Sequence, residues 1–185
     1  NDALSLKNIM GYRYMKYESS YDLDATAVPR LLESIQPADL HHWSNEFQLL
    51  GDAFGDKLNW VAGLYYYHED GRQTARAFAA GGAQLAGGSV DSDSYSIFAQ
   101  GTYRFSPVWA LTVGGRYTID EKEVDVENQT ATQCSMFDRS GVRLPLSNCH
   151  RIESESFSAP TVTVSLEFSP AEDILVYVAS RRGNG

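Results

Sequence analysis

Long hydrophobic runs are missing from this chain. No stretch approaches the ~20 apolar residues that a membrane-spanning helix needs, and the mean hydropathy is -0.33. Helical spanning is thereby excluded. Cationic residues are scarce, with 15 Lys+Arg against 24 Asp+Glu and a formal net charge of -9. That balance argues against a sequence-independent grip on nucleic acid, which depends on Lys and Arg at the phosphates. Cysteine is nearly absent: Cys134 and Cys149 are too few for a disulfide scaffold and enough for one bridge. Apolar residues at helical spacing are hard to find. No basic-then-apolar leader stands at Asn1, so any targeting signal is expected outside these residues.

What the 185 residues do contain is rings and alternation. Aromatic residues make up 12% of the chain, and period-two patterning recurs along it. The cleanest case covers residues 109–122. Trp109, Leu111, Val113, Gly115, Tyr117 and Ile119 fall on one face, and Thr112, Arg116, Thr118, Asp120 and Lys122 on the other. Successive strand side chains point to opposite sides, so this ribbon is oily on one side and polar on the other. Residues 95–105 repeat the pattern with Phe98 as the exception, and residues 160–168 repeat it again. Residues 43–51 and 58–69 are less clean, with Val61 out of pattern, and extended segments are read near both ends. About seven strands result.

The connections carry information too. Short ones fall at residues 52–56, 106–108 and 169–173, rich in Gly, Pro, Asp and Ser as tight turns require. Long loops are expected at residues 18–42, 70–91 and 123–153. Strict alternation of short and long is the order of an up-and-down antiparallel sheet, and outer-membrane barrels show this asymmetry. Two observations favour lipid over a dry interior as the solvent of the oily face. Aromatics sit at the ends of the apolar faces and aliphatics or Gly in the middle, as in the interfacial girdles around an apolar band. Residues 109–119 also meet the ~9–11 residues that a tilted strand needs to cross hydrocarbon. The girdle is read at Trp60, Tyr95, Tyr103, Trp109 and Tyr117. A spanning sheet must close on itself and bacterial barrels have even strand numbers, so about seven strands imply part of a larger barrel.

In order along the chain, several stretches resemble the barrel of TonB-dependent outer-membrane receptors. They include Trp43-Ser44-Asn45-Glu46-Phe47-Gln48-Leu49, then Leu58-Asn59-Trp60-Val61-Ala62-Gly63-Leu64-Tyr65-Tyr66-Tyr67. Ser94-Tyr95-Ser96-Ile97-Phe98-Ala99-Gln100 and Leu111-Thr112-Val113-Gly114-Gly115-Arg116-Tyr117-Thr118 follow. Glu167-Phe168-Ser169-Pro170 and Asp173-Ile174-Leu175-Val176-Tyr177-Val178-Ala179 complete the set. The resemblance implies an all-β, antiparallel, up-and-down transmembrane segment of a twenty-two-stranded barrel in the bacterial outer membrane. It implies energy-coupled uptake of a scarce nutrient such as a ferric siderophore. The implied partners are outer-membrane lipid, the remaining strands, a lumenal plug domain, an inner-membrane energy-transducing complex and a small-molecule solute. Residues 1–185 are read as barrel only, with the plug outside them. A smaller complete barrel acting as channel, adhesin or membrane enzyme is the alternative, and a soluble β-sandwich a third reading.

Candidate site residues are few. Arg72, Arg76 and Arg116 could meet anionic solutes or plug groups, and His41 and His42 a ligand. Adjacent strand histidines point to opposite faces, so these two cannot share one metal. The pair Cys134 and Cys149 is read as a structural staple, permitted by assembly through the oxidising periplasm. Residues 79–82, Ala-Ala-Gly-Gly, suggest mobility, and residues 81–88 lack the Lys-Ser/Thr of a phosphate loop. No Ser/His/Asp constellation is assignable around His68. No catalysis, cofactor or metal is expected.

Overall fold

The computed structural model describes residues 4–22, 25–27, 32–79 and 82–183. Seven antiparallel strands lie in one sheet in chain order: β1 (Leu4–Asp22), β2 (Leu32–Ala53), β3 (Leu58–Ala79), β4 (Gly82–Ser106), β5 (Trp109–Thr130), β6 (His150–Ala171) and β7 (Ile174–Gly183). A single 3-10 turn, Leu146–Asn148, is the only helical piece among the described residues. The outermost strands, β1 and β7, do not pair with each other, so the sheet stays open. Positive φ at Phe54, Gly55 and Asp56 tightens the turn between β2 and β3.

Burial decides which face needs which solvent. The buried strand residues that carry side chains are small and mostly polar, Ser34, Ser92, Ser96, Ala110 and Thr112, all on the polar face; Gly51, under the Trp60 indole, is the buried one on the other face. The large apolar residues are the exposed ones, with Leu64 at 60%, Ile97 at 59% and Val113 at 48%. Side chains crowd on the inside of a curled sheet and diverge on the outside, so this sheet curls toward its polar face. Its surface is 12848 Å², whereas a compact globular protein of this mass exposes about 8,900 Å². Among the described residues no core is sealed from solvent.

Register lines up the apolar face. Phe47, Leu64, Ile97, Tyr117 and Pro160 are successive partners across five strands, and Leu49, Ala62, Ala99, Gly115 and Val162 form the next row. Aromatics close the band at both ends. Trp109 packs at a tilt against Phe168 at 4.4 Å and lies near-parallel to Phe105 at 6.5 Å near the short turns. Trp43, Tyr66 and Tyr95 form a chain at 4.8 and 5.0 Å at the other limit. Tyr95 and Phe105 are ten residues apart, which at ~3.3 Å per residue and a ~40° tilt gives a band about 25 Å tall.

The strands do not stop at that limit, which shortens all three long loops expected from sequence. β3 and β4 pair without interruption to Ala79↔Gly82, so residues 70–79 and 82–91 are paired strand, and β1 and β2 pair to Asp22↔Glu33. His41, His42 and His68 consequently lie inside strands. Beyond the aromatic row no apolar stripe remains on the outer face, so the strand signal lapses while the backbone ladder continues. β5 and β6 reach Thr130 and His150, which trims the third expected loop to residues 131–149, and residues 25–27, between β1 and β2, are not strand. Ala80 and Gly81, part of the expected mobile tip, lie outside the described residues, and residues 82–88 are strand.

Candidate functional site

The polar face at the height of the apolar band centres on Arg116. Its Nη2 donates to Ser96 Oγ at 2.8 Å and its Nε to Thr118 Oγ1 at 3.1 Å. The guanidinium carbon lies 5.0 Å from the Tyr65 ring centroid and 6.0 Å from that of Phe98, within cation–π reach. Two neighbours explain why Phe98 breaks the alternation. A Cβ at Gly63 would come within 2.5 Å of the Phe98 ring, so the ring occupies the space that the glycine leaves and forms one wall of the arginine's cradle. Among the described residues no carboxylate pairs with Arg116. The result is a cation held in one orientation by hydroxyls and rings, suited to a carboxylate or other oxyanion. Trp60 shows the same device on the apolar face, where its indole lies over Gly51.

The other expected contacts separate onto two faces. His42 lies on the polar face, its Nδ1 3.8 Å from Glu69, too far for a hydrogen bond, and buried without a partner. His41 lies on the opposite face, 3.0 Å from Asp39 and 3.1 Å from the Tyr12 hydroxyl. Arg72 is also on that outer face and reaches across β4 to Glu127 at 3.0 Å. Arg76 follows four residues on, opposite Ile35 and Leu85, and is exposed. Arg72 and Arg76 therefore share a face that Arg116 does not. The girdle residues Trp60, Tyr95, Tyr103, Trp109 and Tyr117 all stand on the apolar face.

One group was not anticipated from sequence. The donor atoms of His68, Asp91 and Asp93 lie within 4.8 Å of one another on the outer face, a donor set that could hold a cation. Asp93 already accepts from the Tyr66 hydroxyl at 2.5 Å and sits 3.1 Å from His68 Nδ1. Only the pairing register, Tyr66↔Tyr95 and His68↔Asp93, brings these residues together; no spacing in the sequence does.

The loop after β5 is cross-linked. Cys134 and Cys149 form a disulfide with Cα atoms 5.5 Å apart. Inside it, Arg143 packs over Phe137 at 4.9 Å and donates to the Cys134 carbonyl at 2.6 Å. The Ser140 hydroxyl and the Val142 N–H donate to Asp138, holding its carboxyl below the usual range. The Arg151 hydrogen bond and the nearby charge of Arg139 do the same for Glu153.

The sequence matches the family described as TonB dependent receptor-like, beta-barrel, over residues 1–184. No curated protein is detectably similar in sequence. Among solved structures, the ferric yersiniabactin uptake receptor FyuA from Yersinia pestis superposes with a TM-score of 0.78 at 11% identity, over 97% of this chain and 25% of that one. The open form of the ferric-catecholate import receptor Fiu from E. coli K12 gives 0.65 at 14% identity, over 98% of this chain and 33% of that one. These similarities concern the fold, and the chain spans a third or less of either receptor.

Proposed function

This chain belongs to the β-barrel family of TonB-dependent receptors, and from that premise we propose that it forms a seven-stranded sector of an outer-membrane receptor for energy-coupled uptake of a scarce nutrient such as a ferric siderophore. Barrels of this family reside in the outer membrane, and the family comprises receptors and transporters, not enzymes. The observation that carries the reading is the inverted burial: apolar residues exposed in a band about 25 Å tall, small polar residues packed behind them. In lipid that arrangement satisfies the apolar face, and the open edges at β1 and β7 require neighbouring strands.

In this reading the short turns face the periplasm and the strand extensions with the disulfide loop face outward. The Arg116 cradle looks into the lumen, where a plug domain or a passing solute supplies its counter-anion. Energy coupling runs through the plug to the inner-membrane complex. Disruption of the intact gene tests this: growth on one limiting nutrient among ferric chelates, cobalamin and saccharides should fail and return on complementation. Unchanged growth and uptake under every such limitation would falsify the transport role.

A further inference from the structure

Alternation along the strands changes phase at the upper aromatic row. Within the band of β5 the outward residues are apolar, ending at Tyr117 and Ile119; beyond it they are Glu121, Glu123, Asp125 and Glu127. The inward set reverses as well, from Arg116, Asp120 and Lys122 to Val124 and Val126. β3 and β4 do the same: Asp70 and Arg72 point outward and Gly71 and Ala75 inward, Asp91 and Asp93 outward and Val90 and Ala86 inward. No bulge interrupts these pairings above the band, so the faces are continuous and the reversal belongs to the residues. Inward, the extension carries Met15, Leu40, Val90, Val124 and Val126 among small and polar residues such as Ser34, Gln36 and Glu69.

That inner wall holds a groove of about 520 Å³. Met15, Tyr17, Leu40, Val90 and Val124 form its sides, and the Gln73 amide and the Tyr17 hydroxyl are the inward side-chain groups with hydrogen-bonding capacity in the lining. Ala38, Gly71, Ala75, Ala86 and Gly88 keep the floor low. The charged side chains that border it belong to the other face, where Arg72 is engaged with Glu127. Arg151, inward on β6, is engaged with Glu153 at 2.6 Å.

We propose that this groove takes the apolar or aromatic face of an uncharged small solute. The assignment rests on the receptor reading above and adds a solute class to it. Three features select that class. The volume is that of a small-molecule site. Aspartates and glutamates at the same height on the outer face surround the groove with negative potential, which opposes a multiply anionic chelate. A saccharide needs many hydrogen-bonding side chains and finds two, Gln73 and the Tyr17 hydroxyl, whereas the Tyr17 ring and the Met15 thioether offer contacts suited to an aromatic surface.

The intact receptor carrying this sequence, purified in detergent, is dialysed to equilibrium against three probes. These are ferric oxinate, an uncharged aromatic chelate; ferric tris-catecholate, a trianion; and maltotriose. Ferric oxinate should be retained in preference to the others. Val124→Asp should weaken its retention by about tenfold or more, since a carboxylate would be buried against it. Asp125→Asn, one residue away on the opposite face, should leave retention unchanged. Leu40→Ala removes part of the wall without adding charge, should weaken retention several-fold, and replaces Val124→Asp if that variant fails to assemble. Preferred retention of the trianion or the saccharide, equal retention of ferric oxinate by wild type and wall variants, or retention of no probe overturns this inference. The growth screen tests the receptor reading separately.

Discussion

Single side chains carry the decision about solvent. Ile97 is exposed at the middle of the apolar band, and Gln100 is exposed on the polar face of the same strand. In the full-length receptor folded into vesicles, Ile97→Arg should cost roughly 2–4 kcal/mol of unfolding stability and Gln100→Arg far less. Denaturant titration measures both, and comparable losses would mean that the faces are reversed. Gly63→Val should lower stability by about 1–3 kcal/mol, because the new side chain would meet both the Phe98 ring and the Phe47 carbonyl at 2.5 Å. The alternation rule exposed Phe98 as an anomaly but not its cause. That cause, a glycine on the neighbouring strand, becomes visible only once register is known.

At the scale of elements, the loop of residues 131–149 is where chemistry adds to hydrogen bonding. Its disulfide closes 15 residues, worth ~3 kcal/mol in the loop-entropy account. Reduction, or Cys134→Ser with Cys149→Ser, should raise hydrogen exchange throughout the loop while the paired strands stay protected. Acid should act on the same place. Asp138 and Glu153 have folded pKa values below their ordinary 3.8 and 4.5. Their contribution is therefore complete above those values and lost as pH falls through the lower folded ones. Exchange of the loop amides corrected for intrinsic rate should accelerate only in that acid range, and acceleration already near neutrality would contradict the assignment. The strand extensions teach a separate lesson about legibility. Residues 70–91 read as loop because a search for an outward apolar stripe ends at Tyr66 and Tyr95, while the ladder runs on to Ala79↔Gly82.

For the whole molecule, the unpaired edges of β1 and β7 and the exposed apolar band make the sector unsuited to life in water. Made alone, it should aggregate or depend on detergent, as size-exclusion chromatography with and without detergent would show. A monodisperse, detergent-free monomer would require a different fold. The two surfaces also divide the roles. The outside adapts to whatever surrounds the barrel at each height, apolar within the band and acidic above it. The inside adapts to whatever occupies the lumen, with Arg116 low and the neutral groove high.

Composition and period two alone determined the all-β class, the antiparallel order and the two-faced strands, because side-chain alternation is imprinted residue by residue and needs no partner. They also pointed to the family, through an ordered series of strand motifs matched again over residues 1–184. Tertiary pairing decided the rest: how far the strands run, that Arg72 and Arg116 look in opposite directions, that His68 meets Asp91 and Asp93, and that a mostly apolar groove lies on the inner wall above the band. Those facts depend on which residue of one strand stands beside which residue of the next, and a hydrogen-bonded register is a property of two segments that neither encodes by itself.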